Sequence, residues 1–300
     1  MPKSSPHVAV LTGEVLRLLS PQAGESYLDV TAGYGGHTDA ILPITKTPQK
    51  TLLIDRDHQA ADYLKQKFAG RGVRVINRDF LSASQELAVA RARFDMILAD
   101  LGTSSPHFDD ARRGFSFEKP GPLDMRMDQN QRLSADQIVN EWDEPKLSEI
   151  ISRYGEEPHA AGIAKAIVAA RPLRGTTELA SVVASAKPRR GKIHPATKVF
   201  QALRITVNSE LDQLEESLPI WLELLAPGGR LAVISFHSLE DRIVKRFLAD
   251  HAADTYDSQL RLLTKKPITA KPDEIASNPR VRSARARAAA KIKTKRKEIK

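Results

Sequence analysis

Short apolar runs alternate with amphipathic segments along the first hundred residues of the chain. Apolar runs that end in an acid predict buried strands at 51–55 and 94–100, and a further strand is predicted at 73–77. The spacing of apolar residues predicts helices at 58–68 and 82–93. Strands that alternate with helices at this spacing are typical of a parallel sheet covered on both faces, so the predicted fold class is α/β.

The most informative stretch of this pattern is 28–37, with the sequence LDVTAGYGGH. A strand that ends in Asp29 opens into a turn with glycines at 33, 35 and 36, and a helix is predicted from about His37. Glycine lets a backbone approach a ligand closely, and a helix start offers free N–H groups to a carboxylate or phosphate. A glycine-rich turn without a ligand is the alternative.

Beyond residue 100 the strand–helix rhythm stops. Residues 101–128 are rich in Gly, Pro, Ser and charge and predict a long loop. Helical spacing then predicts helices at 135–142, 145–154, 160–171, 177–186 and from about Pro195. We interpret 109–211 as a helical insertion into a sheet domain made of 1–108 and 212–300. The position of the second boundary is approximate, because one helix can extend across it.

The sheet pattern returns near the C-terminal end. Residues 224–236 (LLAPGGRLAVISF) predict a helix end, a Pro-Gly-Gly turn and a strand, and 237–241 lead into a helix at 242–248. Further strands are expected near 260–263 and within 280–292.

Composition and charge narrow the function classes. The chain has no cysteine, which excludes disulfides, thiolate zinc sites and a cysteine nucleophile. No apolar run approaches the ~20 residues that cross a bilayer, and the run at 8–11 is too short for a signal peptide, so a cytoplasmic protein is expected.

The net charge of +9 is concentrated at one end of the chain. Residues 280–300 hold ten Lys or Arg against one acid, so the other 279 residues sum to zero. Such a tail suits an anionic partner, RNA above all, and a merely solubilising tail is the alternative.

Acids at the ends of the predicted strands suggest the type of ligand. Ligands of such sheets lie beyond the carboxyl ends of the strands. A nicotinamide-binding G-x-G-x-x-G pattern begins at Gly33 and Gly35 but has Thr38 in its third glycine position, so S-adenosylmethionine fits better. Asp55 is then expected to accept the ribose hydroxyls and Phe80 to lie against the adenine. The alternative role for Asp55 is a helix cap, which Asp57 can perform one turn later.

Ten runs of the sequence, taken together in this order, point to one family. The most specific are RGFSF at 113–117, GPLDMRMD at 121–128 and ISFHSLEDR at 234–242. The complete set is 7–11, 33–37, 53–57, 100–106, 113–117, 121–128, 154–156, 194–197, 200–205 and 227–242. On these runs the chain resembles the bacterial 16S ribosomal RNA cytosine-N4 methyltransferase (MraW) family across about 280 residues.

The resemblance implies a class I, Rossmann-like methyltransferase sheet with an inserted, mostly helical domain that shapes the RNA site. It implies S-adenosylmethionine as methyl donor and, as acceptor, a cytidine in the decoding region (P site) of 16S ribosomal RNA in the small ribosomal subunit. The cofactor contacts that it implies are Gly35, Gly36, His37, Asp55, Phe80, Asp100 and His107, the last in place of a usual glutamine.

Direct methyl transfer to the exocyclic amine of cytosine needs no covalent adduct, which agrees with the absence of cysteine. The reaction needs positioning and an acceptor for the amine N–H. Asp100 and the turn that contains Ser105 are the candidate catalytic groups, and the alternative is that Asp100 only binds cofactor. His107, Asp109 and Asp110 are a conceivable metal site, but adjacent acids in a loop are usually just solvated and the transfer needs no metal, so none is expected at the cofactor site.

Recognition of RNA is expected to involve aromatic and basic residues of the insertion. Phe115 and Phe117 are able to stack on a base, although core packing is the commoner role of such residues. The candidate phosphate contacts are Arg112, Arg113, Arg126, Arg189, Arg190 and Lys192, each with a solvated surface charge as the alternative. A methyltransferase for another acceptor and a non-catalytic RNA-binding assembly factor are the competing functions.

Overall fold

A computed structural model describes residues 9–103, 105–187, 194–252 and 258–292, without the side chains of Ser105 and Pro106. The chain divides into two compact units. Unit 1 comprises Met1–Gly102 and Leu211–Lys300, and unit 2 comprises Thr103–Glu210. The sequence placed the two boundaries after residues 108 and 211.

Unit 1 is built on a sheet to which the described residues contribute eight strands: β1 (Tyr27–Asp29), β2 (Thr51–Asp55), β3 (Arg74–Asn77), β4 (Phe94–Asp100), β5 (Leu225–Ser235), β6 (Leu260–Leu262), β7 (Ile268–Thr269) and β8 (Arg285–Lys291). Their order is β3-β2-β1-β4-β5-β8-β6, and β7 also pairs with β8. Strands β1 to β5 are parallel, and β8 runs antiparallel to β5, β6 and β7. The α/β class and the strands at 51–55 and 94–100 are confirmed.

The helices of the described residues follow the apolar periodicity of the sequence. They are α1 (Thr12–Leu19), α2 (Gly36–Thr45), α3 (His58–Lys67), α4 (Phe80–Val89), α5 (Ser105–Asp109), α6 (Ala135–Glu141), α7 (Glu144–Gly155), α8 (Ala160–Ala169), α9 (Thr176–Ala186), α10 (Ala196–Asn208), α11 (Glu210–Leu224), α12 (Ser238–His251) and α13 (Pro272–Ser277). None of them has the length and apolar character that crossing a membrane requires.

The two faces of the sheet in unit 1 carry separate hydrophobic cores. Leu28, Ile97 and Val233 pack into one core, whereas Tyr27, Leu98 and Ile234 pack into the other. Successive side chains of a strand point to opposite faces, and the apolar runs lack polar alternation because both faces are buried.

Unit 2 has a core of its own between its helices. Apolar residues of α6 to α10 form it together with Phe115, Leu123, Met125 and Met127 from the preceding segment. The stretch that the sequence predicts as one long loop therefore supplies part of a core, and it also contains α5 and a 3₁₀ turn at Ala111–Arg113.

Two local predictions are refined by the structure. The sequence predicts that Pro43 and the stretch up to Lys50 keep the second helix short, and α2 passes Pro43 but ends at Thr45, with Ile41 and Leu42 buried. The predicted turn at 227–229 lies within β5 as an irregularity, where the register against β4 shifts and Gly228 has a φ of 82°.

The second unit boundary lies inside a helix, as the sequence allowed. Helix α11 (Glu210–Leu224) begins in unit 2 and continues into unit 1, and Ser209, which takes a left-handed conformation with φ 49°, separates it from α10. Helix α12 begins at Ser238, earlier than predicted, because His237 and Glu240 form a capping box at its N-terminus.

The predicted basic tail is partly a folded element. Residues up to 292 form a 3₁₀ turn (Pro279–Ser283) and β8. Arg287 is buried and donates to Asp241 Oδ1 at 2.6 Å and Oδ2 at 3.1 Å. Burial alone raises the pKa of Asp241, but Arg287 and Arg285 outweigh it and hold the pKa below its ordinary value. These cations serve the fold, and residues 293–300 lie outside the described residues.

Candidate active site

The glycine turn follows β1 directly and begins α2. Gly33 and Gly35 have φ of +53° and +77°, which L side chains rarely adopt. A Cβ at Gly36 would lie 2.8 Å from the Cβ of Ala9, so this glycine allows a close packing contact. The turn therefore needs its glycines for its own conformation and packing as well as for the approach of a ligand.

Asp55, at the end of β2, is held by backbone groups on both oxygens. Its Oδ2 accepts from Gly33 N at 2.7 Å and its Oδ1 from Asp57 N at 2.8 Å. Asp57 caps α3 by accepting from Gln59 N, as predicted. Asp55 is thus less free than the sequence suggested, but a carboxylate oxygen accepts more than one hydrogen bond and remains able to bind hydroxyls.

Phe80 is the first residue of α4, directly after the cap Asp79, which accepts from Ser82 N. Its half-buried ring makes an edge contact with Trp221 at 5.6 Å between centroids. The Trp221 indole is fully buried and donates to Ser84 Oγ at 2.9 Å, so the ring behind Phe80 is fixed.

His37 and Asp100 form the most buried charged contact of this edge. His37 Nε2 lies 3.5 Å from Asp100 Oδ2, and the side chains are 7% and 19% exposed. Burial lowers the pKa of His37, but the carboxylates of Asp100 and Asp29 outweigh it and raise the pKa above its ordinary value. His37 Nδ1 and Asp100 Oδ1 are buried and have no hydrogen-bond partner among the described residues.

Two residues of this network were not among the predicted site residues. Asp29 is 1% exposed and accepts from the Tyr27 hydroxyl at 2.8 Å and from Thr31 N at 3.2 Å. Burial raises the pKa of Asp29 to about 6. The acid at the end of the apolar run was the only signal in the sequence, and the tyrosine two residues before it gave none.

These residues lie side by side because β3, β2, β1 and β4 are neighbours and parallel. Their carboxyl ends carry Phe80, Asp55, the glycine turn and Asp100, which we call the carboxyl edge. Its acidic acceptors, aromatic ring and helix start match the hydroxyls, base and carboxylate of S-adenosylmethionine. The buried Asp100 Oδ1 without a partner fits a bound group, because leaving such an atom unsatisfied costs about 1–3 kcal/mol.

The remaining predicted cofactor contact, His107, belongs to unit 2. It is buried, and its ring lies 5.0 Å from that of Phe115. The candidate Ser105 begins the short helix α5, and its side chain lies outside the described residues.

The two phenylalanines of RGFSF pack within unit 2. Phe115 is 5% exposed and belongs to the core. Phe117 lies 4.7 Å from the ring of His194 and 4.8 Å from that of Phe200. The packing alternative therefore describes both residues better than base stacking.

The predicted phosphate contacts differ in their surroundings. Arg113 is 4% exposed, and its Nη2 donates to the carbonyls of Arg126 and Met127, which is inconsistent with a phosphate contact. Arg126 directs its guanidinium to both oxygens of Asp124 and to the carbonyl of Gln131, so its role is also structural.

The other predicted cations include one exposed arginine. Arg112 pairs with both oxygens of Asp110, yet its side chain is 88% exposed, so it remains a candidate. Arg189, Arg190 and Lys192 lie outside the described residues. Lys187, just before them, donates to the buried Glu157 at 2.5 Å.

Comparison with known proteins settles the family. The model of the MraW methylase family matches residues 4–292. The chain belongs to this family. A ribosomal RNA small subunit methyltransferase H from Nostoc sp. is 48% identical over 290 residues, which cover 95% of this chain and 92% of the relative. The protein of that name from Thermomicrobium roseum is 45% identical over 312 residues, with 97% and 95% covered.

Among solved structures, an rRNA methylase from Streptococcus thermophilus covers 97% of this chain and 99% of its own, with a TM-score of 0.43 and 11% identity. Membership of a methylase family makes this chain a methyltransferase, and S-adenosylmethionine is its methyl donor.

Proposed function

We propose that this protein methylates the N4 amine of one cytidine in the decoding region of 16S ribosomal RNA, at the P site of the small subunit. The relatives named ribosomal RNA small subunit methyltransferase H support the substrate class. The observation that carries the site is the carboxyl edge, where the half-buried carboxylate of Asp100 lies against His37 and its buried Oδ1 has no hydrogen-bond partner among the described residues.

The carboxyl edge is proposed to hold the cofactor along its length. Asp55, rigid between two backbone amides, accepts the ribose hydroxyls. Phe80 lies against the adenine, supported by Trp221. The N-terminus of α2, which begins at Gly36 after the left-handed Gly35, faces the methionine carboxylate with its free N–H groups. S-adenosylmethionine supplies, when bound, an electrophilic methyl group on a sulfonium.

Asp100 is proposed to accept a hydrogen bond from the N4 amine of the target base. The lone pair of this amine is delocalised into the ring, and an acceptor for its N–H makes the nitrogen more nucleophilic. Methyl transfer forms the N–C bond while the S–C bond of the donor breaks and S-adenosylhomocysteine leaves, and the methylated amine then gives up one proton to the Asp100 carboxylate that accepts its hydrogen bond. The chain has no cysteine to form an adduct with the ring, which agrees with direct transfer.

RNA phosphates are proposed to contact the exposed cations of unit 2. Arg112 is such a cation, and Arg189, Arg190 and Lys192 are the further candidates. Ser105 remains a candidate neighbour of the target base through the start of α5.

The first experiment tests the reaction and its acceptor together. Purified protein and labelled S-adenosylmethionine are incubated with small subunits that lack the modification and, separately, with naked 16S ribosomal RNA. Digestion and mass analysis should locate N4-methylcytidine at one position of the assembled particle. Cofactor binding without transfer to either substrate would favour another acceptor, or an assembly factor without catalysis.

The Asp100→Asn variant tests the acceptor role. We expect it to bind the cofactor within a few-fold of wild type while methyl transfer falls by about 10²–10³-fold, the usual cost of losing one electrostatic contact to a transition state. Loss of cofactor binding in this variant would assign Asp100 to the cofactor alone.

A further inference from the structure

A chain of hydrogen bonds connects the interior of β1 to Asp100. Strand β1 ends at Asp29, which lies opposite Leu98 of β4. The next N–H of β4 that points toward β1 is that of Asp100, and no carbonyl of β1 is in register with it. The hydroxyl of Thr31 takes the place of that carbonyl and accepts from Asp100 N at 2.6 Å. The position of the Asp100 backbone therefore depends on one side-chain hydroxyl.

Thr31 is in turn held by Asp29. The Asp29 Oδ1 accepts from Thr31 N at 3.2 Å, and its Oδ2 accepts from the Tyr27 hydroxyl at 2.8 Å. Because Asp29 is 1% exposed, it acts on a ligand only through its neighbours.

We propose that Thr31 and Asp29 are positioning residues, which set the Asp100 carboxylate for its ligand and give His37 a second anionic neighbour. The inference rests on the proposed role of Asp100 in the site. Thr31 holds the end of β4 through its hydroxyl, and Asp29 holds Thr31 through its backbone N–H. Both acids raise the pKa of His37, which burial alone would lower, so each of them favours its protonated form.

The arrangement favours the ionised form of Asp29, because both of its oxygens accept hydrogen bonds and a carboxylate is the stronger acceptor. The groups that face Asp29 are Tyr27 on its own strand, His37 on α2 and Asp100 on β4. Burial raises the pKa of Asp29 to about 6, against the opposite effects of His37 and Tyr27. Burial also raises the pKa of Tyr27 well above its usual range, so its hydroxyl stays a donor. Ligand affinity should therefore fall as the pH decreases through about 6.

The first test replaces the Thr31 hydroxyl in the full-length protein. Binding of S-adenosylhomocysteine, which needs no turnover, is measured by calorimetry at pH 7.5 for wild type, Thr31→Val and Thr31→Ser. The valine variant keeps the shape but leaves Asp100 N without its acceptor, and we expect at least about tenfold weaker binding. The serine variant restores the acceptor and should bind within about twofold of wild type. Equal binding by wild type and the valine variant would overturn the inference.

The second test follows the pH profile of the same binding in Tyr27→Phe. Loss of the donated hydrogen bond removes a group that lowers the pKa of Asp29, so the acid limb should move to higher pH. A packing role alone would lower thermal stability and leave this midpoint unchanged, and that result would also overturn the inference. This profile decides the matter if the valine variant does not fold.

The same series separates the inference from the proposed function. If the wild-type protein binds S-adenosylhomocysteine and methylates the particle, and the variants bind equally well, only the positioning roles are refuted. Wild-type protein that fails to methylate any RNA refutes the proposed function, whatever the variants bind.

Discussion

The carboxyl edge of unit 1 and the segment 113–128 of unit 2 both carry the most distinctive motifs of the chain, yet they use their charged side chains in opposite ways. At the carboxyl edge, His37 Nδ1 and Asp100 Oδ1 are buried without a partner among the described residues. In segment 113–128, the guanidinium of Arg113 is directed at two carbonyls and that of Arg126 at a carboxylate and a carbonyl.

This difference separates a binding site from a structural motif. A buried polar atom without a partner costs free energy, which a ligand recovers on binding. A buried cation whose guanidinium already donates to backbone carbonyls has little to offer a phosphate and contributes instead to the fold. The sequence motifs alone do not distinguish these cases, since both contain charge, glycine and apolar residues in fixed order.

The largest expected effect concerns the backbone of segment 113–128. A Cβ at Gly121 would lie 2.0 Å from the carbonyl oxygen of Ala111. Because backbone atoms cannot move aside cheaply, we expect Gly121→Ala to lose about 3 kcal/mol or more in urea unfolding.

The matched control is Gly162→Ala in α8, where a Cβ meets nothing within 4 Å. This variant should gain up to about 1 kcal/mol, because alanine favours a helix over glycine. Equal stability of the two variants would mean that segment 113–128 is not tightly packed, and the contrast between the units would fail.

The second prediction compares one buried carboxylate from each unit. Burial raises the pKa of Asp29 from 3.8 to about 6, whereas Lys187 and the N–H of His159 outweigh burial and lower the pKa of Glu157. The ionisation of Asp29 therefore lowers the free energy of unfolding by up to about 3 kcal/mol as the pH rises from 3.8 to 6. The contribution of Glu157 is present above its ordinary pKa of 4.5 and is lost as the pH falls through its lower folded value.

Urea unfolding of ligand-free protein at several pH values checks both signs. Asp29→Asn should gain stability relative to wild type as the pH rises, and Glu157→Gln should lose it. The same sign for both variants would contradict the opposite electrostatic roles of the two acids.

The smallest expected effect separates the arginines of unit 2. Arg113→Gln should lose about 2 kcal/mol of stability, because two buried carbonyls lose their donor. Arg112→Gln, at an 88% exposed side chain, should leave the midpoint of urea unfolding unchanged, because an exposed ion pair contributes little to stability.

Salt titrations of RNA binding complete this comparison. The slope of log affinity against log salt should stay unchanged in Arg113→Gln and decrease by about 2 when Arg189, Arg190 and Lys192 are replaced by Gln together. Lys187 is kept in that variant because it pairs with the buried Glu157. A reduced slope in Arg113→Gln at unchanged stability would show that this arginine contacts phosphate after all.

Much of the carboxyl edge could be predicted because its signals are local. An apolar run followed by an acid or a glycine turn identifies a strand end, and this placed Asp55, Asp100 and the turn correctly at one edge. The predicted cap at Asp57 is also a local signal, and it is confirmed. Tyr27 and Thr31 could not be predicted as partners of Asp29, because a hydrogen bond to an apolar-looking strand has no pattern in sequence.

The roles of the charged residues of unit 2 and of the C-terminal stretch could not be predicted from local signals. Arg113 and Arg287 look like surface cations in the sequence, and their burial depends on carbonyls and an acid that only the fold brings near. Charge density along the chain therefore overestimated the surface available to RNA.

The sequence by itself determined the α/β class, the periodicity of the helices and the acids at the strand ends, because hydrophobic spacing and turn chemistry act over a few residues. Only the tertiary structure decided which polar atoms are already satisfied. Hydrogen-bond partners are often far apart in the chain, as for Asp100 with Thr31 and Arg287 with Asp241. The tertiary structure therefore shows which side chains stabilise the fold and which remain available to a ligand.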